Sequence, residues 1–148
     1  MTAPSAGIDP RGPRFTASVT AVLLAVVLVV PETVATTLIA IQALFIAIGI
    51  AFGVQRTPTG LVFRHLLRPR LTPPAELEDP TPPRFAQGVG LAFAVVALVG
   101  YLTGAVLVAQ VAVRFALVAA LLNAVFAFCL GCELYLLGVR FRGARATL

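Results

Sequence analysis

Residues 85–109 read FAQGVGLAFAVVALVGYLTGAVLVA, a run of twenty-five residues without one charged side chain. A helix that rises about 1.5 Å per residue crosses the ~30 Å hydrocarbon core of a bilayer in about twenty residues, so this run is long enough. The whole chain has the same character, with 59% hydrophobic and 11% charged residues among 148. A soluble domain carries about 25% charged residues. The apolar excess therefore indicates lipid contact.

Three further apolar segments accompany this run, over residues 15–30, 34–54 and 113–138. Pro31-Glu32-Thr33 separates the first two, and so short a link predicts an antiparallel helical hairpin. A turn at Gln110–Arg114 is predicted between the last two. The predicted fold is an all-α integral membrane protein, a single domain over residues 1–148. Its four predicted transmembrane helices cover about 15–30, 34–54, 85–109 and 113–138.

A short motif precedes two of these segments. Asp9-Pro10 followed by Arg14-Phe15 recurs seventy residues later as Asp79-Pro80 followed by Arg84-Phe85. The recurrence predicts a tandem duplication of the hairpin, with repeat 1 over 9–54 and repeat 2 over 79–138. The basic start and first apolar segment also fit a secretory signal peptide. Because the second copy cannot be one, we expect the first segment to be a retained helix.

The loop between the predicted hairpins, residues 55–84, is rich in arginine and proline. Residues 58–68 predict an amphipathic helix at the membrane interface, with Thr57 as its N-cap and Pro58 in its first turn. His65 is the single histidine of the chain. It falls on the basic side of this helix, so we expect it to face lipid headgroups.

Basic charge is distributed unevenly along the chain. The net charge of +5 comes from eleven arginines and no lysine, and only Arg114 lies outside the N-terminal segment, the long loop and the tail. A basic chain suggests nucleic-acid binding, but arginines beside apolar segments fit a lipid bilayer better, and we predict no nucleic-acid partner. The positive-inside rule predicts a multi-pass plasma-membrane protein whose termini and long loop are cytoplasmic. The two repeats then have the same orientation.

The only two cysteines stand in Phe128-Cys129-Leu130-Gly131-Cys132-Glu133, within the predicted fourth helix. Residues three apart share a helix face and are close enough for a disulfide. We therefore predict a redox dithiol of Cys129 and Cys132 inside the membrane, near its cytoplasmic side. Glu133 is the expected proton or charge partner. The side chains expected to favour a thiolate, or to bind a substrate or partner, are Arg14, Arg84 and Arg140.

Other interpretations of the cysteines stay open, and with them whether the chain is an enzyme. Both can be small apolar fillers in a structural protein. A carrier or permease subunit for a reduced-sulfur species or soft metal is a further alternative, in which a homodimer supplies four thiolates. Two cysteines and one histidine leave little room for a metal site in a single chain, and we predict no metal and no cofactor. Aligning residues 49–54 with 127–132 puts Ala51 and Val54 at the cysteine positions.

Three of these motifs together resemble a known family. Asp-Pro…Arg-Phe before the first segment, Pro-Pro-Arg-Phe-Ala-Gln before the third and Asn123…Phe-Cys-Leu-Gly-Cys in the last are similar to the bacterial membrane family called domain of unknown function 4395. The resemblance covers about residues 9–137. It implies a four-helix membrane protein without an assigned activity. Members tend to be encoded near thioredoxin-like or sulfurtransferase proteins. The resemblance therefore implies thiol or sulfur chemistry with a thioredoxin-like or rhodanese-like partner.

Overall fold

The computed structural model describes residues 7–74, 76–77 and 79–146. These residues form helices joined by turns, and none of them forms a β-strand. A short 3-10 turn at Val54–Arg56 follows the second helix, and the third helix continues as a π-helical turn and a 3-10 turn as far as Arg70. We call residues 58–70 the α3 segment. The helices are α1 (Arg11–Val27), α2 (Glu32–Phe52), α3 (Pro58–Val62), α4 (Thr81–Thr103), α5 (Val106–Phe126) and α6 (Leu130–Ala146).

Four of these helices, α1, α2, α4 and α5, are long and apolar enough to cross a membrane. This confirms the prediction of four helices that are able to span a membrane. Only 17% to 28% of the most apolar part of each helix is buried inside the bundle. Large apolar side chains therefore point outward, such as Val22 at 67% exposure and Leu102 at 68%. The fold is compatible with a multi-pass membrane protein, because lipid solvates such a surface.

Helices α1 and α4 begin four residues earlier than predicted, and an aspartate just before each helix accepts the N–H of its first residue. The Asp9 carboxylate accepts the backbone N–H of Arg11 at 3.0 Å, and the Asp79 carboxylate accepts that of Thr81 at 2.9 Å. Asp9 also binds the Arg11 guanidinium at 2.8 Å. Prolines inside the first turn are tolerated there, since the first N–H groups of a helix have no intrahelical partner.

The predicted turn at Gln110–Arg114 is wrong, since those residues lie inside α5. The chain turns at Gly104 instead, whose φ of 82° is left-handed and accessible to glycine. Just before the turn, a methyl group built on Gly100 comes within 2.9 Å of Ala109. The absence of a side chain at Gly100 thus lets α4 and α5 approach closely.

The predicted single helix over 113–138 is also wrong. It is divided into α5 and α6 by a break at residues 127–129. Ala127 has a φ of 56°, the one left-handed non-glycine residue in the described part of the chain. The break moves the cysteine motif from the later part of a predicted helix to the start of α6.

The α3 segment begins as predicted. The Thr57 hydroxyl accepts the backbone N–H of Gly60 at 3.1 Å, and Pro58 stands in the first turn, which confirms the predicted cap. Phe63 is buried and its ring lies 6.0 Å from that of Phe15 in α1. The segment is therefore anchored on α1 by Phe63, while most of its other side chains are exposed.

The core lies at the end of the bundle where the two short turns are. Helix α1 packs against α5, α2 against α4, and α4 against α5. The largest fully buried side chains are Val27, Ile39 and Val113. At the opposite end α6 packs on α4, and the α3 segment packs on α1. Close packing is thus concentrated away from the cysteines.

Asp9→Ala is expected to lower the free energy of unfolding by about 1–3 kcal/mol, because a buried, charge-assisted hydrogen-bond acceptor is lost. The Arg11 side-chain hydrogen bond holds the pKa of Asp9 below its ordinary value of 3.8. The contribution of Asp9 is therefore complete above that value and is lost as the pH falls through the folded-state pKa. Unfolding in detergent, followed by circular dichroism at pH 7 and below pH 4, measures both effects.

The exposed cap residue is the control for this experiment. Asp79→Ala removes one hydrogen bond to the backbone of Thr81, whereas Asp9→Ala also removes the ion pair with Arg11, so a smaller loss is expected for Asp79→Ala. An Asp9→Ala protein whose stability matches the parent at pH 7 contradicts the assignment.

Candidate functional site

The cysteine motif forms the first turn of α6. Cys129 directly precedes the helix, and its Sγ accepts the backbone N–H of Cys132 at 3.3 Å, as the side chain of an N-cap does. The Cys129 carbonyl accepts the N–H of Glu133 at 3.0 Å. Both cysteines are partly exposed. The prediction of a dithiol inside a spanning helix is therefore wrong, because α5 ends three residues before Cys129.

The end of α5 is held by an arginine from the other half of the chain. Arg14 in α1 donates from Nη2 to the Ala124 carbonyl at 3.1 Å, and the N–H of Ala127 bonds to the Asn123 carbonyl at 3.1 Å. Carbonyls at a helix end have no intrahelical donor, and an apolar environment offers no water to replace it. Arg14 therefore stabilises the break that precedes the cysteines.

The other two predicted arginines lie elsewhere. Arg84 in α4 donates from Nε to the Ile50 carbonyl at 2.6 Å and from Nη2 to the Ala51 carbonyl at 3.1 Å, so it holds the end of α2. Arg140 is exposed on α6, about two helical turns beyond Cys132. Neither lines the cavity that contains the cysteines, whereas Arg14 does.

Glu133 belongs to the first turn of α6 and is exposed. A carboxylate near a helix N-terminus interacts favourably with the helix dipole, by about 0.3–1 kcal/mol at an exposed position. The break at residues 127–129 therefore brings Glu133 to a helix start, not to the interior of the predicted fourth helix. Glu133 lines the same cavity as the two cysteines.

The first turn of α6 lies directly on α4. A methyl group built on Gly131 comes within 2.5 Å of the Cα and Cβ of Ala86. One turn further on, the rings of Phe85 and Tyr135 lie 5.6 Å apart and are tilted by 50°. These contacts fix how far the cysteines stand from the bundle.

A cavity of about 750 Å³ runs from the cysteines into the bundle. Its wall is formed by α1, α2, α4, α5 and α6 and is predominantly apolar. Several polar residues in this wall were not predicted as site residues. The sequence could have indicated them, since polar side chains inside apolar membrane segments often mark functional positions. They are Thr20, Gln42, Gln87 and Asn123.

Gln42 is the deepest amide of this group and is only 7% exposed. Its Nε2 donates to the Thr20 hydroxyl at 3.3 Å. The Gln42 side chain lines the cavity, so its amide is a polar group, both donor and acceptor, in a predominantly apolar wall.

Metal-ligating side chains do not cluster in the described part of the chain. No three of its His, Cys, Asp and Glu side chains come together. His65 is exposed on the α3 segment.

The fold and the site define a small helical membrane protein with a CxxC motif at a helix start beside a cavity that is open to the surface of the bundle. The chain belongs to the family described as Domain of unknown function (DUF4395), whose profile matches residues 8–140. This confirms the resemblance seen in the sequence. No curated protein and no solved structure matches the chain.

Gly131→Ala is expected to push α6 away from α4, because the new methyl group meets the backbone of Ala86. Overpacking of this kind costs about 1–3 kcal/mol. Hydrogen exchange of the amides in α6 should therefore accelerate. Gly138→Ala is the matched control on the same helix, since a methyl group there meets nothing within 4 Å. Equal exchange in the two variants contradicts the packing of α6 on α4.

Proposed function

We propose that this protein is a membrane thiol–disulfide or sulfur-relay component that uses Cys129 and Cys132. The observation that carries the proposal is the position of the pair in the first turn of α6. The N–H groups and dipole of a helix N-terminus stabilise a thiolate, and the thiolate is the reactive form in exchange and persulfide chemistry. Partial exposure of both cysteines allows a partner to reach them.

Each step of the exchange has a donor and an acceptor in this pair. A thiolate of a thioredoxin-like partner attacks Cys129 Sγ of the Cys129–Cys132 disulfide, and Cys132 leaves as the thiolate. The second partner thiol then attacks its own mixed-disulfide sulfur and releases Cys129. Two electrons pass from the partner to the pair. With a rhodanese-like partner, the Cys129 thiolate instead takes the outer sulfur of a partner persulfide, and the partner leaves as a thiolate.

Other residues act around the pair in this proposal. Arg14 is a positioning residue, because it holds the end of α5 that precedes Cys129. Glu133 lies beside Cys132 and is the proposed proton acceptor. Arg140, exposed on α6, and Arg84 are the proposed contacts for partner or headgroup anions.

We also propose that the chain is a parallel duplication, and that its unit contains three helices rather than two. Arg14 donates to the Ala124 carbonyl, and Arg84 donates to the Ile50 carbonyl. Each arginine thus caps the second helix of the other repeat. Ring contacts also correspond, since Phe15 meets Phe63 and Phe85 meets Tyr135. The proposed repeats are α1 with α2 and the α3 segment, and α4 with α5 and α6.

The three-helix unit changes which residues correspond to the cysteines. Thr57 accepts the N–H of Gly60, and Cys129 accepts that of Cys132, each directly before the third helix of its repeat. The first repeat thus has a Thr-x-x-Gly cap where the second has a CxxC. A hydroxyl fulfils the capping role, so the thiols have a further purpose in this proposal.

The proposed location is the plasma membrane, with both termini cytoplasmic and the α3 segment on the headgroups. The distribution of arginines supports this orientation. Helices α2 and α5 then end at the cytoplasmic side, and the cysteines lie at that side, within reach of a cytoplasmic partner.

A carrier or permease subunit is the second candidate, and one observation favours it. The cavity of about 750 Å³ contains both cysteines in its wall. A reduced-sulfur species or soft metal ion bound by the thiolates fits this arrangement, and a homodimer supplies four thiolates. Sulfide uptake and the metal content of the purified protein distinguish this candidate from disulfide exchange.

Differential alkylation of the reduced protein in native membranes tests the dithiol. Cys129 is expected to react roughly tenfold faster than Cys132. About 1.4 kcal/mol of extra thiolate stabilisation at the helix N-terminus corresponds to a tenfold larger thiolate fraction at Cys129. A soluble aromatic disulfide should convert the pair to an internal disulfide, and Cys132→Ser should trap the mixed disulfide. Single-cysteine variants resolve the two rates by mass spectrometry.

Two results contradict this proposal. The first is a pair that stays reduced and unreactive under every redox treatment. The second is full activity in cells of the double variant Cys129→Ser and Cys132→Ser, which indicates a structural protein without thiol chemistry.

A membrane-impermeant maleimide tests the orientation. It should label Cys129 and Cys132 in inside-out vesicles and leave them unlabelled in right-side-out vesicles, because the proposed site faces the cytoplasm. A cysteine introduced at Leu102, near the opposite end of α4, is the matched control and should show the reverse pattern. Labelling of the native pair from outside overturns the orientation.

A further inference from the structure

We propose that the cavity binds a lipid-soluble quinone, which accepts two electrons from the Cys129–Cys132 dithiol. This inference rests on the proposed dithiol function and names the electron acceptor of the same site. Both cysteines line the cavity, so a molecule inside it is adjacent to the reacting sulfur atoms.

The dimensions of the cavity fit such a molecule. A volume of about 750 Å³ lies within the range of about 300–1,000 Å³ that ligand pockets occupy. The cavity extends from the first turn of α6 past Gln42, which lies ten residues before the end of α2. At about 1.5 Å per residue, Gln42 stands ~15 Å above that end. The cavity is therefore elongated, which matches the shape of a quinone with a ring and an apolar tail.

The chemistry of the wall favours a mostly apolar ligand. Most of the lining is aliphatic or aromatic, including Phe45 and Phe93. Arg14 is the single cation in the described lining, and it already bonds to the Ala124 carbonyl. An apolar wall with few polar groups favours a neutral, mostly apolar ligand.

Polar groups are nevertheless available for the ring oxygens. The side-chain amides of Gln87 and Asn123 line the cavity near the cysteines, and that of Gln42 lies deeper. An amide N–H donates to a quinone carbonyl, and an amide oxygen accepts from a quinol hydroxyl. The same side chains thus serve the oxidised and the reduced ligand.

The cavity is reached from the surface of the bundle. Phe115 and Leu134 line it, and they are 62% and 54% exposed. Phe115 belongs to a helix whose outer face is apolar, so the route starts from lipid. Quinones are the two-electron oxidants that dissolve in that phase, and they reoxidise membrane dithiols in known systems.

The electron transfer balances with these groups alone. One thiolate of the pair adds to the quinone ring and forms a carbon–sulfur bond. The other thiolate attacks that sulfur, which forms the Cys129–Cys132 disulfide and returns the bonding pair to the ring. The ring leaves as a quinol after taking up the two protons that the thiols gave up, and Glu133, which follows Cys132 in the cavity wall, is the proposed proton relay. A partner dithiol then reduces the disulfide, so thiol oxidation is coupled to quinone reduction.

The test uses the full chain, reduced, in lipid nanodiscs with a decyl-chain benzoquinone or naphthoquinone. Loss of quinone absorbance should accompany formation of one internal disulfide per chain. Gly90→Leu fills the cavity, since Gly90 lines it and a methyl group there makes ordinary contact with Ile46 at 3.8 Å. Oxidation by quinone should slow by about tenfold, which corresponds to a loss of about 1.4 kcal/mol of binding free energy.

Gly88→Leu is the matched control, on the same helix but exposed, with nothing within 4 Å of an added methyl group. It should leave quinone reduction unchanged. Both variants should react with a soluble aromatic disulfide at the parental rate. Gln42→Leu, which keeps the volume and removes the amide, is the second variant and should raise the KM for quinone.

The outcomes separate this inference from the proposed function. A parent protein that is oxidised by the soluble disulfide but not by quinone overturns the quinone site and leaves the dithiol function intact. Quinone reduction that Gly90→Leu and Gln42→Leu leave unchanged also overturns the site, because the reaction then occurs outside the cavity. Cysteines that react with neither oxidant overturn both proposals.

Discussion

The bundle depends on hydrogen bonds that two arginine side chains donate to the carbonyl ends of α2 and α5. The last carbonyl groups of α2 and α5 have no intrahelical donor. Arg84 supplies the donor for one end and Arg14 for the other, each from a helix of the other half of the chain. The arginines therefore join the two halves through backbone carbonyls. Their positions also determine where the following segments start, including the segment with the cysteines.

The break after α5 changes the chemistry expected of the CxxC motif. Inside a continuous membrane helix, every N–H near the cysteines is already used by the carbonyl four residues earlier. At the start of α6 the first N–H groups are available, and Cys129 accepts that of Cys132. A negative charge is stabilised at such a position. Glu133, an acid in the same first turn, fits the same electrostatics.

The bundle has a closely packed end and an open end. Small residues such as Ala97 and Ala109 allow close helix contact beside the short turns. Toward the cysteines, the helices separate around a cavity with several amides in its wall. Polar groups inside a membrane bundle are tolerated when they bind one another or line a cavity, and Gln42 with Thr20 does both. The cavity thus reaches from the cysteines to the closely packed end, where the core residues Ile39 and Val113 border it.

The sequence alone determined the membrane class, the four apolar helices, the family and the Thr57 cap, because these depend on composition and on neighbouring residues. The turn between α4 and α5 was predicted at Gln110–Arg114 because of the charge on Arg114. It lies instead at Gly104, whose left-handed φ favours glycine. The sequence also missed the break at Ala127, since neither glycine nor proline marks that position. Only the tertiary structure decided this break: the Arg14 donor lies 110 residues away in the chain, and no local pattern can contain that contact.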